Sequence, residues 1–338
     1  MKTIATLGSH CALQVLKGAK DEGFRTLVVT ERRREGFYRR FNFIDDFLVL
    51  NKFGDITNQK NISFLKKKEA VIIPHGTLIS EVGIEKVEKH LDVPIFGNRH
   101  MLRWEADREL KEKLSKEAKL RSPKSFASPE EIDRLVIAKL PGARGGLGYF
   151  MANNEKSYYR SLKELQKKGI IDKNTNVFIQ EYVVGVPVYF QYFYSPLKKE
   201  LEFFGIDRRY ETTVDGIGRI PAEHQKGILP SYIVVGNIPL VLRESLLEEA
   251  FQMGERFVKA VKKYVPPGMI GPFCIEGIYN EDAEFITFEF SARIVAGTNL
   301  YIAGSPYFSL IYDEPMSMGR RIAREMKNGK NRLDKLLT

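Results

Sequence analysis

Two glutamates are the first candidates for chemistry, because each interrupts an otherwise apolar segment. Glu276 lies in the sequence FCIEGIY, and Glu289 follows thirteen residues later in FITFEFSAR. The intervening Asn-Glu-Asp-Ala at 280–283 predicts a turn, so the two segments should form a hairpin that brings both carboxylates together. Carboxylates between buried neighbours need a cation, and their oxygens suit Mg²⁺. The pattern predicts a metal site, while pairing of each glutamate with a core arginine such as Arg293 stays an open alternative.

A glycine-rich segment that follows a lysine is the second candidate. Lys139 lies near the end of the β-rich run 135–140, and four glycines follow between positions 142 and 148. Glycines let the backbone approach a polyanion and leave N–H groups free to donate, and the lysine adds a positive charge. No Gly-Lys-Ser/Thr follows, which excludes a Walker A loop, and the expected hairpin strands argue against a dinucleotide-binding fingerprint. A phosphate-binding loop and a plain β-turn both stay open from this pattern.

The third candidate is the segment Gln-Glu-Tyr-Val-Val-Gly at 180–185. Its composition predicts a strand that ends in a turn of small residues. The backbone N–H and C=O groups at such a strand end can hydrogen-bond to a flat heterocycle. The segment therefore predicts a place to hold a ring system.

The elements that must position these residues begin with alternating strands and helices. Over the first hundred residues this alternation predicts a doubly wound parallel sheet that is buried on both faces. The predicted strands are 2–7, 25–30, 47–50, 70–74 and 93–97. Ligands collect at the carboxyl ends of strands in such sheets. Three short sequences lie at those ends, namely Gly8-Ser9-His10, Thr30-Glu31-Arg32 and Pro74-His75-Gly76-Thr77.

The histidines and arginines near these strand ends are expected to have different roles. His10 follows a Gly-Ser turn at the start of a predicted helix, where N–H groups favour an anion such as a ribose phosphate. His75 is expected to be a structural residue. The arginines at 32–34 and 39–40 are expected to be solvated surface charges without a role in a site.

Beyond residue 115 the pattern changes to strands with alternating or aromatic-rich faces, which is typical of antiparallel sheets. A charged helix at 107–118 is predicted to connect the two parts, and a long amphipathic helix is predicted at 243–263. The fold class is therefore α/β, with an N-terminal parallel-sheet domain at 1–115 and an α+β region at 116–338. The second region is expected to divide into subdomains at 116–190 and 191–338.

The order of strand lysine, glycine-rich segment, Gln-Glu-Tyr-Val segment and paired glutamates resembles the ATP-grasp ligases. In that superfamily the lysine and the glycine-rich flap contact the ATP phosphates, a hinge holds adenine, and two acidic residues bind Mg²⁺ or Mn²⁺. The resemblance implies an ATP-grasp fold behind a pre-ATP-grasp domain, with Glu276 and Glu289 as metal ligands. The ATP-binding residues that it implies are Lys139, Gly142, Arg144, Gly145, Gly146, Gln180, Glu181, Tyr182 and Val183.

The sequence departs from the superfamily at two positions. Pro187 occupies the place where a ribose-binding glutamate often follows the hinge glycine, so the ribose contact is assigned to Glu211 instead. Ser291 occupies the place of the usual third metal ligand, an asparagine. The resemblance leaves Ser291 and Arg293 in supporting roles and assigns the rest of the metal shell to water.

Longer segments resemble a narrower family, the archaeal formate-dependent ligases of purine biosynthesis. These segments include GSHCALQVLKGAKDEGF, IIPHGT, DRRYETTVDGIGRIPA, VVGNIPLVLRESLLEEAF and FEFSARIVAGTN. That family formylates 5-aminoimidazole-4-carboxamide ribonucleotide (AICAR) with ATP and formate, through formyl phosphate and without folate. The resemblance implies that AICAR contacts His10, Thr77 and Asn237, and that the protein is a homo-oligomer. The alternatives are a paralogue that joins another carboxylate and amine, and a nucleotide-binding sensor without turnover.

Composition limits the remaining function classes. Fifty-three basic and 43 acidic residues give a net charge of +10, which suits an anionic partner or reflects a charged surface of the heat-adapted kind. No nucleic-acid motif accompanies this charge, so a nucleic-acid binder ranks last and no nucleic-acid partner is expected. Two cysteines cannot make a disulfide framework, and no apolar run reaches the ~20 residues of a membrane span. A cytoplasmic protein without a membrane partner is expected.

Overall fold

The first structural unit is a four-stranded parallel sheet. The computed structural model describes residues 2–140, 149–172, 175–226, 228 and 231–338. The strands of this sheet are β1 (Thr3–Leu7), β2 (Arg25–Glu31), β3 (Asp46–Leu50) and β4 (Ala70–Ile72). They pair in parallel in the order β3-β2-β1-β4, which confirms the predicted parallel sheet. The helices of this unit are α1 (Ala12–Asp21), α2 (Glu35–Tyr38), α3 (Gln59–Lys67) and α4 (Ile84–Lys89).

The segment at 93–97 is not the regular fifth strand that the sequence predicts. Isolated bridges hold it, one from Ile95 to Ile72 and one from Phe96 to Leu337. The pairing partner changes between neighbouring residues, so a continuous ladder does not form. The segment instead joins the parallel sheet to the C-terminal residues.

Two helices connect this sheet to a second, antiparallel one. They are α5 (Arg99–Ala106) and α6 (Arg108–Glu117), and the Asp107 side chain caps α6 by accepting a hydrogen bond from Leu110 N at 3.0 Å. The strands that follow are β5 (Ser125–Phe126), β6 (Val136–Lys139), β7 (Tyr149–Ala152) and β8 (Phe178–Glu181). Their order is β5-β8-β6-β7, and α7 (Glu155–Lys167) lies between β7 and β8 in the chain.

The remaining part of the chain contains a third sheet of five antiparallel strands. Its strands are β9 (Val186–Ser195), β10 (Glu200–Glu211), β11 (Val234–Leu240), β12 (Gly271–Tyr279) and β13 (Phe285–Ser291). They are ordered β11-β10-β9-β12-β13. Three further helices are α8 (Thr212–Ile217), α9 (Glu244–Tyr264) and α10 (Met318–Asn328). None of the helices in the described part of the chain combines the length and apolar character that crossing a bilayer requires.

The two faces of the third sheet differ in character, because side chains alternate along each strand. One face packs its aromatic residues on α9, where the rings of Phe257 and Phe273 stack with centroids 5.2 Å apart. Tyr192 stacks on the other side of Phe273 at 4.8 Å. The opposite face is divided: Phe193 and Phe204 pack in a cluster with α10, and the buried polar residues Gln191, Asp207 and Glu276 lie beyond them. The aromatic core thus fixes the strands whose polar residues form the candidate site.

The C-terminal helix returns to the first unit and packs against α1. Gly18 and Gly319 allow this close approach, since a Cβ atom on Gly18 would clash with the backbone of Arg320 and one on Gly319 with the backbone of Gln14. Apolar residues of α10 and β1 share one core cluster. Residues far beyond 115 therefore complete the first unit, and the division into domains at 115 and 190 stays a prediction.

A buried ionic network also anchors α10 to the third sheet. The Arg321 guanidinium donates to both carboxylate oxygens of Glu202 at 2.8 Å and to Glu325 at 2.8 Å. It lies 4.1 Å from the centroid of the Phe193 ring, and Ser195 donates to Glu325 at 2.6 Å. Arg321 is 1% exposed, so the two glutamates compensate a charge that water does not reach.

Candidate active site

The two glutamates predicted to form a metal site lie directly opposite each other on β12 and β13. Glu276 is 2% exposed, and both its oxygens are engaged. Arg209 on β10 donates to one oxygen at 2.9 Å, and Ser291 donates to the other at 2.8 Å. The Arg209 guanidinium also lies 3.8 Å from the centroid of the Tyr189 ring. The hairpin is therefore confirmed, and its register places the two glutamates opposite each other. The roles of Glu276, Glu289 and Ser291 at a metal site stay predictions.

We refer to the space between Lys139 of the second sheet and the glutamate hairpin of the third sheet as the cleft. Glu289 borders it and forms an ion pair with Lys111 of α6. Burial opposes ionisation of this carboxyl, yet the ammonium group of Lys111 holds its pKa below the usual value. The Glu289 side chain is 45% exposed, so it is the more accessible of the two glutamates. A carboxylate that stays ionised at the mouth of a cleft can bind a cation.

Arg293 does not pair with either glutamate of the hairpin. The alternative of pairing with an arginine nevertheless holds for Glu276, whose partner is Arg209, and not for Glu289, whose partner is Lys111. Arg293 forms an ion pair with Glu105 of α5 at 2.8 Å, and Glu105 also accepts a hydrogen bond from Ala292 N at 2.8 Å. Basic partners for the two hairpin glutamates come from β10 and α6 instead. Arg293 thus anchors the end of β13 to the connecting helices.

The donors of this region fit a magnesium ion that is shared with phosphates. Within the described residues, no group of three or more acidic, histidine or cysteine side chains is arranged around a common point. Mg²⁺ commonly takes only one or two carboxylates and completes its shell with water and substrate phosphates. Glu276 and Glu289 are such a pair, and a cation between them would replace Arg209 and Lys111 as their counter-charge.

Lys139 lies across the cleft from these carboxylates, at the end of β6. Its ammonium group donates to the Gln180 side chain at 2.9 Å. Burial lowers the pKa of Lys139, and the negative charge of Glu289 opposes this shift. The second sheet therefore presents a cation toward the acidic hairpin of the third sheet, a suitable place for the phosphates of a nucleotide.

The predicted hinge residues use their side chains and part of their backbone to hold the strand. The Glu181 carboxylate accepts hydrogen bonds from Lys124 N and from the Arg134 guanidinium, both at 3.1 Å. Glu181 N and Tyr182 N donate to backbone carbonyls at 2.8 and 2.9 Å. Gly185 packs on β12, where a Cβ atom would clash with the Tyr279 carbonyl. Among the described residues, the Val183 N–H has no backbone acceptor, so it is free to bind a ring.

Three tyrosines form a cluster near Glu211. The rings of Tyr149 and Tyr232 meet edge to face at 5.0 Å, and the hydroxyls of Tyr182 and Tyr232 are 3.4 Å apart. The Tyr149 hydroxyl is buried and has no hydrogen-bond partner in the described part of the chain. Burial raises the pKa of Glu211 to about 7, with a smaller lowering effect from Arg209. Aromatic faces beside a carboxyl suit a nucleoside.

His10 occupies a strained turn at the carboxyl end of β1. Its φ angle is +46°, and Asn299 fixes the turn by donating to the His10 carbonyl at 3.0 Å. The Nδ1 atom of the ring hydrogen-bonds to the hydroxyls of Ser9 and Thr77 at 3.0 and 2.9 Å. With Nδ1 engaged in this way, Nε2 is the atom available to a ligand. The structure brings His10 and Thr77 together as predicted.

His10 is surrounded by positive charge. Burial lowers its pKa to about 4, and Arg293, Arg209 and Arg34 lower it further. The ring is therefore neutral near pH 7. Its neighbour His75 is a buried structural residue, as expected, because its Nε2 bonds to Leu7 O at 2.8 Å. The arginines around His10 make this strand end attractive to an anion.

Asn237 lies on the edge strand β11, directly opposite Arg209. Its amide donates to the Asp207 carboxylate at 2.7 Å, and the Gln191 amide donates to the other oxygen of Asp207. Burial raises the pKa of Asp207 to about 6. The network orients the Asn237 amide so that its oxygen is available to accept from a ligand. Asn237 is part of the strand itself and not of a turn.

Comparisons with known proteins place the chain in a family. A model described as a domain of unknown function (DUF1297) matches residues 157–338, and one described as a protein of unknown function (DUF1246) matches residues 4–126. The 5-formaminoimidazole-4-carboxamide-1-(beta)-D-ribofuranosyl 5'-monophosphate synthetase of Cenarchaeum symbiosum is 56% identical and covers 100% of both chains. A synthetase of the same name from Methanocaldococcus jannaschii is 50% identical, over 96% of this chain and 91% of its own. The chain belongs to this synthetase family.

Solved structures agree with that membership. The IMP biosynthesis protein PurP from Thermococcus kodakaraensis has a TM-score of 0.79 and 30% identity, and the match covers 99% of this chain and 100% of that one. The ADP complex of N5-carboxyaminoimidazole ribonucleotide synthetase has a TM-score of 0.68 at 15% identity, over 97% and 77% of the two chains. The second likeness concerns the fold alone. Together these neighbours confirm the predicted ATP-grasp fold for this member of the synthetase family.

Several predicted ATP-binding residues of the synthetase lie outside the described residues. These are Gly142, Arg144, Gly145 and Gly146. Their roles stay predictions. The strands on either side, β6 and β7, pair antiparallel from Lys139 and Tyr149 onward, so the expected hairpin around the glycine-rich segment is confirmed.

Sequence reasoning missed three residues that contact the predicted site residues of the synthetase. Arg209 and Asp207 lie two positions apart on β10 together with Glu211, so strand alternation would have placed all three on one face. Lys111 was part of a charged helix that predicted only a connector. Its partner Glu289 is distant in sequence, and no local pattern in the helix indicates that contact.

Proposed function

We propose that this synthetase family member formylates the amino group of AICAR with formate and ATP, giving FAICAR, ADP and phosphate in purine biosynthesis. The observation that carries the proposal is the central position of Arg209. It binds Glu276 of the acidic hairpin at 2.9 Å, and its charge also lowers the pKa of His10. This shared neighbour supports placing the proposed nucleotide site and the strand-end anion site close to each other. The names of the relatives, at 47–56% identity, support the substrate.

In this proposal each part of ATP is assigned to a different group of residues. Lys139 and the hairpin glutamates would hold the phosphates together with Mg²⁺ or Mn²⁺, which would neutralise charge during phosphoryl transfer. The Val183 backbone would contact adenine, and Glu211 would accept hydrogen bonds from the ribose. AICAR would bind at the other end, against His10 and Asn237.

The proposed reaction has two balanced steps. A formate oxygen attacks the γ-phosphorus of ATP, and the bond from that phosphorus to ADP breaks, which gives formyl phosphate. The amino nitrogen of AICAR then attacks the formyl carbon, phosphate leaves with the bonding electrons, and the nitrogen loses a proton. Both steps need positioning and compensation of charge more than a nucleophilic side chain. No folate is required, because formate itself supplies the carbon.

The direct test is release of ADP with Mg²⁺, ATP and AICAR, with and without formate, and with the product identified by mass. We expect ADP only when both co-substrates are present, together with AICAR that carries one formyl group. ADP release that depends on a different amine or carboxylate would indicate a paralogue. ATP binding without any turnover would indicate a sensor.

His10→Ala tests the AICAR end of the cleft. We expect the KM for AICAR to rise about tenfold and the KM for ATP to stay unchanged, because one hydrogen bond to the ligand is lost. In His10→Asn, which keeps a hydrogen-bonding side chain, the KM for AICAR should rise less than in His10→Ala. His90→Ala, at an exposed position of the same unit, is the control. An unchanged response to AICAR would make His10 a structural residue.

The pKa of Glu211 predicts a pH dependence of ATP binding. Below about pH 7 the carboxyl is protonated, and above it the carboxylate accepts hydrogen bonds from ribose hydroxyls more strongly. The KM for ATP should therefore fall between about pH 6 and about pH 8. Glu211→Gln should remove this pH dependence, whereas Glu223→Gln, at an exposed position, should keep it. The same pH profile in Glu211→Gln would contradict the assignment.

A further inference from the structure

Five arginines follow β2, and the structure separates one of them from the others. Arg33 and Arg39 form ion pairs with glutamates of their own segment at 2.8 and 2.6 Å. Arg32 and Arg40 are exposed to solvent. Arg34 is half-buried and turns toward the carboxyl ends of the parallel strands. The expectation that the whole group is a solvated surface run is therefore wrong for Arg34.

Arg34 contacts the turn that carries His10. Its guanidinium donates to the Gly8 carbonyl at 3.3 Å. Tyr38 packs against the same turn, where a Cβ atom on Gly8 would lie 2.6 Å from the Tyr38 ring. The glycine is thus required for the close approach of ring and turn, and Arg34 lies near enough for its charge to act on His10.

The charges around His10 are compensated unequally. Three guanidinium groups act on it, those of Arg34, Arg209 and Arg293. Arg209 pairs with a carboxylate at 2.9 Å, and Arg293 does so at 2.8 Å. In the described part of the chain, no carboxylate forms an ion pair with Arg34. One positive charge is therefore left uncompensated at this strand end.

We infer that Arg34 binds the 5′-phosphate of the ribotide substrate and makes the enzyme select the phosphorylated over the unphosphorylated nucleoside. This inference rests on the proposed function. A phosphate monoester carries up to two negative charges, and the neutral His10 ring can offer it only a hydrogen bond. A guanidinium supplies both the charge and a planar set of donors that matches phosphate oxygens. Arg34 is the group at this strand end with both properties and no competing carboxylate.

The test compares the binding of AICAR and of its riboside, which lacks the phosphate, to the full chain by calorimetry. Arg34→Gln should weaken ribotide binding about 10- to 100-fold and leave riboside binding unchanged, because only the ribotide has the charge that the arginine contacts. Arg34→Lys should recover part of the loss, since it restores the charge but not the planar fork. Arg33→Gln is the matched control and should change neither affinity. Thermal unfolding of each variant checks that the fold is intact.

Several outcomes would overturn the inference. An equal loss for ribotide and riboside would mean that Arg34 only holds the Gly8 turn. No loss for either would mean that the phosphate binds elsewhere. A fall in kcat with unchanged ribotide affinity would assign Arg34 to the phosphoryl group that comes from ATP. A wild-type protein that binds ATP but neither AICAR nor its riboside would overturn the proposed function itself, and this result is distinct from the other three.

Discussion

Glu289→Gln is expected to lower the rate of ADP release by at least ~10²-fold while the protein stays folded. The substitution keeps the size of the side chain but removes the charge that faces Lys139 across the cleft. A neutral amide is a poor ligand for Mg²⁺ compared with a carboxylate. It also leaves Lys111 without its partner, so the cleft gains positive charge where a cation should bind. Steady-state turnover at increasing Mg²⁺ measures the effect.

The same hairpin provides a matched control for this variant. Glu284 has the same exposed fraction of its side chain, 45%, and also pairs with a basic residue, Arg121. It lies at the turn rather than in the cleft, so Glu284→Gln should keep near wild-type activity. A Glu289→Gln enzyme with full turnover and an unchanged Mg²⁺ requirement would remove Glu289 from the metal site.

Arg321→Met is expected to cost about 3–5 kcal/mol of the free energy of unfolding. The substitution leaves Glu202 and Glu325 buried without a counter-charge, although the apolar side chain still packs on Phe193. Such uncompensated carboxylates favour the unfolded chain, in which water solvates them. Chemical denaturation followed by circular dichroism measures the change.

An exposed ion pair serves as the control for that prediction. Arg103 pairs with Glu88 at a side-chain exposure of 49%, so Arg103→Met should change the free energy of unfolding by less than ~1 kcal/mol. A loss of similar size in the two variants would show that burial of the Arg321 network is not the source of its contribution.

Local sequence patterns predict the parts of the site that depend on near neighbours. The predicted hairpin of Glu276 and Glu289 is confirmed because two apolar runs and a turn determine its register within a short segment. The predicted turn at His10 is confirmed because the end of a strand, a glycine and the start of a helix follow one another directly in the sequence. In both cases the residues that form the pattern lie within about 20 positions of one another, which is the range over which local sequence patterns predict structure.

Contacts between distant segments are what the sequence does not reveal. Arg209 meets Glu276 across 67 positions, and Lys111 meets Glu289 across 178. Any of the 53 basic residues is a chemically suitable partner, so charge alone does not select these two. The sequence does not predict β11, because Gly236 and Pro239 interrupt its apolar run. The strand forms nevertheless, since a strand at the edge of a sheet tolerates such a proline. Arg34 stands in the sequence beside other arginines of the same chemistry, and its partial burial in the structure distinguishes it from them.

The packing of α10 on α1 has a consequence for the order in which the protein folds during synthesis. The four strands of the first sheet lie within the first 72 residues, yet Ile4 of β1 and Val71 of β4 share a core cluster with Met318 and Ile322. Gly18 and Gly319 meet across some 300 positions of chain. Contacts of such high sequence separation form late and slow the search for the native state. A nascent chain on the ribosome therefore exposes an apolar face of α1 until nearly all of the protein has emerged. During this period chaperones would protect the exposed face.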